Sequence, residues 1–464
     1  MFRKIVFLLF VTLCLLNLNC GTTEKKTAEG KYLSIAENAA EWVMSTAVGD
    51  ETELFWPSQP DTMQRGEISL YHGVPGGILF FLEMYKATGK QEYLTNARSA
   101  ANWLAGQAHS HEDSYFWSSI NYNGEPVPDP GLYTGTAGAG AALLELIKYD
   151  GSYIYKLYAK GAADYLAGNM TEFPQGYGWN SSSDIVSGAA GTGLFLIRAA
   201  EELDDPEYLE AAEKAGNLLM NLAIDENSRK KWAISPGMER LYPNFSHGTA
   251  GVSFFLTVLY EATEKEEYLH TALEGAEWLL DNKGEHDAEG SAWYHHEPDG
   301  KDLFYVSWCH GPGGTARLFY QLHKVTGEQK WLDIAHEAAQ WLMTCGLNEK
   351  HIDGYWNVSA CCGNAGIADF FLDMYKVSGR QEYLDGAIKM ADDLTEKAAP
   401  GDPGLKWIQA ENRTRPEEVY AQTGWAQGSA GIGLMYLKLY AFKQAKPPFK
   451  VLALPDTPFR WDNQ

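Results

Sequence analysis

The chain has 464 residues and a formal net charge of −24. It has no long basic run beyond its first residues, so it lacks the footprint that phosphate binding needs, which excludes nucleic acid as a partner. It is 45% hydrophobic and 13% aromatic, enough for a large buried core, and length alone suggests two or three domains.

Residues 1–20 read as a signal peptide rather than as part of the fold. Arg3 and Lys4 precede an apolar run from Ile5 to Leu18, too short for a comfortable membrane span. After Asn19 come Cys20 and Gly21. That is the arrangement of a bacterial lipoprotein signal, in which Cys20 becomes the acylated first residue; plain cleavage or an uncleaved anchor is the alternative. Residues 21–30 are polar and form a tether. The protein is therefore expected to be exported and anchored at a periplasmic or cell-surface membrane through this lipid alone. It should partition into detergent, and Cys20→Ala should abolish the partitioning. Wild-type protein found free in the medium, starting at residue 21 or later, would rule acylation out.

From residue 31 onward self-similarity dominates. A turn of form x-G-x-x-G recurs at Gly73, Gly135, Gly188, Gly248, Gly311, Gly363 and Gly428, with a period of roughly 50–65 residues that marks a repeat architecture. Each turn opens an apolar helix, such as Ile78 to Tyr85 or Phe370 to Tyr375, that belongs in the interior. Six of these are followed by an amphipathic, Ala-rich helix. Its usual opening is Glu or Lys, an aromatic residue and Leu, as in Glu92-Tyr93-Leu94 and Lys330-Trp331-Leu332. A tryptophan comes next in each repeat: Trp56, Trp117, Trp179, Trp232, Trp293, Trp356 and Trp407. These tryptophans could ring a substrate, but packing anchors beneath the connecting loops are the simpler reading.

The seventh turn has an inner helix, Leu434 to Phe442, with no outer helix after it. The chain begins with an orphan outer-type helix, Tyr32 to Thr46. The two ends therefore complete one unit. This predicts residues 31–464 as a single all-α domain, an α/α toroid of seven inner and seven outer helices closed by pairing of the first and last. All seven turns lie on one rim, and the Pro-rich tail from Lys446 to Gln464 straps across the surface. A monomer is expected.

Cysteine usage points to that rim. Apart from Cys14 and Cys20 in the signal, the cysteines are Cys309, Cys345, Cys361 and Cys362. Three of them sit in turns five and six, Trp308-Cys309-His310-Gly311 and Cys361-Cys362-Gly363. Zinc takes thiolate ligands, and a catalytic zinc keeps three protein ligands and one open position. In an exported protein a disulfide plus a free thiol is the competing reading. Cys345, at the end of an outer helix, reads as an ordinary half-buried thiol. His72, His247 and His310 fall on the same rim, with Asp184 four residues before Gly188. An N-cap or loop hydrogen bond is the plain role for Asp184. His295-His296 reads as surface.

The chain resembles the lanthionine synthetase C-like family along nearly its whole folded length. The resemblance rests on the seven glycine turns, Ser246-His247-Gly248 through Gly251, Trp308-Cys309-His310-Gly311, and Cys361-Cys362-Gly363 through Gly366. It implies an α/α toroid with one Zn2+ on the rim. It also implies an enzyme in which a thiol, from a peptide cysteine or a small molecule, adds to a dehydroamino acid and closes a thioether. Carried over residue by residue, Cys309 and Cys361 are the first two zinc ligands. Cys362 stands where most members have histidine, as in a three-cysteine variant class. His247 matches the proposed acid/base and Asp184 the active-site aspartate. Tyr305 occupies the position of an arginine in bacterial cyclases, and His310 that of a common tyrosine. His310 and His72 are expected to support the site without binding the metal. Two other readings stand beside this one. One is a surface binding protein that keeps zinc without catalysis. The other is a carbohydrate-active toroid, which needs two carboxylates where the turns offer only Asp184.

Overall fold

The computed structural model describes residues 30–120, 123–347, 357–410, 415–444 and 449–459. The signal, the tether, Cys20 and Trp356 lie outside the described residues. Helix α1 spans 30–45. The inner helices are α2 (Val74–Thr88), α4 (Thr136–Asp150), α6 (Ala189–Leu203), α8 (Thr249–Thr263), α10 (Pro312–Thr326), α12 (Asn364–Ser378) and α14 (Ser429–Lys443). The outer helices after α1 are α3 (Gln91–Gly106), α5 (Tyr153–Gly168), α7 (Pro206–Leu222), α9 (Glu266–Asp281), α11 (Gln329–Thr344) and α13 (Gln381–Lys397). Short two-stranded antiparallel hairpins, such as Ile408–Ala410 with Val419–Ala421, decorate the loops between outer and inner helices. The two-layer, seven-pair toroid expected from the repeats is the observed fold.

Each recurring motif has a physical task. The aromatic residue that opens an outer helix is buried against its inner partner: Tyr93 lies 6.1 Å from Phe81, Trp331 6.0 Å from Phe319 and Tyr383 6.4 Å from Phe371, centroid to centroid. The tryptophan after the outer helix turns back on that helix. Trp117, Trp179, Trp232, Trp293 and Trp407 donate their indole N–H to the carbonyls of Leu104, Leu166, Leu219, Leu279 and Leu394 at 2.7–2.8 Å. Carbonyls in a last helical turn lack intrahelical donors. These tryptophans are thus helix-end caps as well as packing anchors, and they do not form a substrate ring.

The glycine turns let backbones meet. In turn five a Cβ on Gly314 would sit 1.8 Å from the carbonyl oxygen of Trp308, so only glycine fits there. That closeness allows a belt of backbone hydrogen bonds around the rim. Tyr71 N–H bonds to Tyr133 O at 3.0 Å, Tyr133 N–H to Val186 O at 2.9 Å, and Ile185 N–H to Ser246 O at 3.2 Å. Ser246 N–H bonds to Cys309 O at 2.9 Å, Cys309 N–H to Cys361 O at 3.1 Å, and Cys361 N–H to Ala426 O at 2.8 Å. Ala426 N–H returns to Tyr71 O at 2.9 Å. The belt joins turn seven to turn one, so the ring is closed. On the outside, α1 completes the last pair: Tyr32 stacks on Tyr436 of α14 at 6.2 Å, and Lys31 pairs with Asp392 of α13 at 2.9 Å.

The described part of the tail crosses one end of the toroid. Residues 449–459 cover the far mouth of the barrel and dip into its bore. Phe449 lies under Lys86 of α2, Ala453 O accepts from Arg198 of α6, and Phe459 stacks on Tyr320 of α10 at 4.5 Å. A segment that touches inner helices on opposite sides of the ring lies on its axis. The reason is chemical: Phe449, Val451 and Phe459 are apolar and become buried, and buried Asp456 meets the largely buried Arg317.

Candidate metal centre

Each glycine turn places one residue in the backbone belt and another directly after it. In turn five these are Cys309 and His310, and in turn six Cys361 and Cys362. The belt bond from Cys309 to Cys361 locks the two turns in register. As a result the three sulfurs gather within 4.8 Å of one another. Cys309 Sγ lies 3.3 Å from Cys362 Sγ, and Cys362 Sγ 3.2 Å from Cys361 Sγ. All three are free thiols, as is half-buried Cys345. A disulfide needs about 2.05 Å, so these sulfurs are not bonded to one another.

The cluster's neighbours favour negative charge. Tyr71 Oη donates to Cys361 Sγ at 2.9 Å. Gln427 Nε2 donates to Tyr71 Oη at 2.8 Å and to Cys362 Sγ at 3.6 Å. Hydrogen bonding with Cys309 and then Cys361 holds the Cys362 thiol well below its ordinary range. Burial and the neighbouring thiols push Cys361 well above it. Without a cation, then, the trio favours a single thiolate, because sulfurs this close cannot all ionise. One tetrahedral ion with metal–sulfur bonds of about 2.3 Å holds its sulfurs about 3.8 Å apart, and the donor set fits such an ion with small adjustments.

Opposite the sulfurs stands an oriented histidine. His247 Nδ1 lies 2.5 Å from Oδ2 of Asp184, which is almost fully buried. The other oxygen of Asp184 accepts from Ser187 N–H at 2.8 Å. Asp184 therefore serves its own turn as well as the histidine. With Nδ1 on the carboxylate, the ring nitrogen of His247 not engaged by Asp184 is Nε2. His247, His72, Tyr71, Tyr305 and the three cysteines line one open cavity of about 1030 Å³.

His310 and Tyr305 belong to this wall without joining the sulfur cluster. The His310 ring lies 5.6 Å from His247 and 5.9 Å from Tyr305. Burial, and then the charges of His295, His247 and His296, hold His310 well below the ordinary histidine range, so it is neutral. The expectation that His295 and His296 sit on the surface is overturned. His295 borders the cavity 4.4 Å from His310, and His296 is buried. Their Nδ1 atoms are 2.7 Å apart, and His296 Nε2 lies 2.8 Å from Asp299 Oδ1. This chain of side chains runs from the protein surface to the cavity. The sequence held a signal for it, because the loop carrying the pair must return from α9 to the rim of turn five. Tyr71 and Gln427 were also missed, although they occupy in turns one and seven the positions that the cysteines occupy in turn six.

Comparisons with known proteins agree with this geometry. A model of the lanthionine synthetase C-like protein family matches residues 64–451. The solved structure of nisin cyclase superposes with a TM-score of 0.60 at 15% identity, covering 89% of this chain and 94% of that one. That likeness concerns the fold. A glutathione S-transferase, LANCL1, of Danio rerio is 35% identical over 94 residues, which is 20% of this chain and 22% of that protein. The lacticin 481/lactococcin biosynthesis protein LcnDR2 of Lactococcus lactis subsp. lactis is 23% identical over 358 residues. That match covers 73% of this chain and 33% of the relative, so the chain spans at most about a third of either curated relative. A family match over most of the chain, a shared toroid and cysteines gathered on the rim lead to one statement: the chain belongs to the lanthionine synthetase C-like family.

Proposed function

We propose that the protein is a zinc enzyme that adds a thiol across the double bond of a dehydroamino acid to form a thioether. The observation that carries this reading is the meeting of three cysteine sulfurs and an aspartate-oriented histidine in one open cavity. Zinc bound by Cys309, Cys361 and Cys362 would lower the pKa of a substrate thiol enough to keep it as thiolate at neutral pH. Three thiolates leave the centre with a net charge of about −1, so a substrate sulfur there stays electron-rich and nucleophilic.

The reaction is an addition with no redox step. A sulfur–Cβ bond forms, the Cα–Cβ π bond breaks, and the thiol proton ends on Cα. His247 Nε2 is the atom that takes and returns that proton, and Asp184 holds the ring in the tautomer that permits it. Where bacterial cyclases carry a guanidinium, this cavity presents Tyr305 beside neutral His310. Oxygen charge that develops in the acceptor is therefore met by neutral hydrogen-bond donors.

The relatives supply two thiol sources. The lacticin-biosynthesis protein suggests a peptide cysteine, and the glutathione S-transferase suggests a small thiol. Zinc-loaded protein should be given a dehydroalanine peptide with an internal cysteine, and separately one without cysteine plus glutathione. Ring closure leaves the mass unchanged but removes reactivity toward an alkylating agent, whereas addition of glutathione raises the mass. Zinc at full occupancy with neither product would reject the enzyme and favour a surface binding protein. The anchoring expected from Cys20 would place this chemistry outside the cytoplasm.

A further inference from the structure

Beneath the metal centre the bore is closed by an aromatic layer. Trp308, the residue before Cys309, packs against Tyr133 at 4.8 Å, Trp425 at 5.9 Å and Phe245 at 6.1 Å. These partners come from turns two, seven and four, so the Trp308 ring spans the bore. One side of Trp308 borders the rim cavity, and the other borders a small bore cavity of about 90 Å³. From below, the C-terminal tail reaches this layer. Asp456 is fully buried at its tip, and its Oδ2 accepts the Trp308 indole N–H at 3.0 Å. The same oxygen accepts from Arg317 Nη1 at 2.9 Å, and Arg317 also donates to the Asp456 carbonyl at 3.1 Å.

Three facts make this more than packing. A buried carboxylate is costly unless paired, so the Arg317 partner holds the tail tip at one depth. The indole N–H then has one acceptor in one direction, which sets the rotation of Trp308. Finally, Trp308 is joined by a peptide bond to Cys309, whose own N–H is tied into the belt. The aspartate, the indole and the ligand cysteine form a short, rigid path.

We propose that Asp456 is a positioning residue for the metal centre, acting through Trp308 to fix the Cys309 turn, and that the tail supports from below the aromatic layer that floors the catalytic cavity. This rests on the reading of the three cysteines as a metal site. Partners that orient ligands typically change metal affinity 10–100-fold when lost.

The test uses the full-length protein and measures zinc affinity by chelator competition, together with the sulfur-to-metal charge-transfer band after cobalt substitution. Trp308→Phe removes the donor without stranding Arg317. Asp456→Ala removes the acceptor but leaves a buried cation, and for that reason it is the less safe variant for folding. Phe459→Ala loosens the same tail by unstacking it from Tyr320 while leaving the Asp456–Trp308 bond its donor and acceptor. We expect Trp308→Phe and Asp456→Ala each to weaken zinc about 10-fold or more and to alter the cobalt band. The double variant should be no weaker than the worse single one, and Phe459→Ala should keep wild-type affinity despite a lower Tm. Unchanged affinity in Trp308→Phe overturns the proposal, as does an equal loss in Phe459→Ala. Wild-type protein that binds neither metal overturns the metal reading and this inference with it.

Discussion

Cys361→Ala is expected to remove the metal and abolish thioether formation while leaving the helices folded. The purified wild type should carry about one zinc per chain, with an exchangeable fourth position. Loss of one of three thiolates should weaken binding by more than about 100-fold, since losing even an outer partner of a ligand costs up to that much. The fold should survive because the belt uses the backbone of Cys361, not its sulfur, and because the core is built from inner and outer helices away from the rim. Wild type and variant must be compared metal-free, as bound zinc by itself raises apparent stability. Metal content by elemental analysis and helicity by circular dichroism check both halves. Cys362→His should keep zinc but donate less charge to the substrate sulfur and so slow addition. A zinc-free wild type containing a disulfide between any two of Cys309, Cys361 and Cys362 would reject the site.

His247→Ala should have the second large effect, with the opposite signature. Metal content should stay near one per chain, and addition should slow by roughly 10²–10⁴-fold, the usual worth of a positioned acid or base. Asp184 is buried, so deleting His247 leaves a carboxylate with only the Ser187 contact, and stability should fall by about 1–3 kcal/mol. Rates must therefore be expressed per folded, zinc-loaded molecule. Asp184→Asn keeps the Ser187 bond but removes the carboxylate that selects the tautomer. It should slow the reaction, and added to His247→Ala it should cost little more, because both act through one imidazole. Wild-type turnover in His247→Ala would remove it from the mechanism. The chain from His295 through His296 to Asp299 would then be the next acid–base group to test, since it reaches the same cavity.

By itself the sequence determined whatever repeats. Seven glycine turns, an orphan helix at one end and an unpaired one at the other specify a closed toroid, because each unit can bury its apolar face only against the next. Equivalence of the turns then puts Cys309 beside Cys361 and Cys362 before any coordinate is known, and it puts His247 on the same rim. Only the tertiary structure decided contacts that break the repeat. The bond from Tyr71 to Cys361 spans 290 residues, and the bond from Trp308 to Asp456 spans 148. The first joins equivalent positions of two turns that are not neighbours in the ring, and the second joins a turn to the tail, so no periodicity announces either. The tail's place in the bore follows from one buried aspartate paired with one arginine, and the histidine chain from a loop that folds inward. A repeat encodes what neighbouring units do to each other through local backbone geometry. What crosses the ring is set by the charge and shape of single side chains brought together only once the ring has closed.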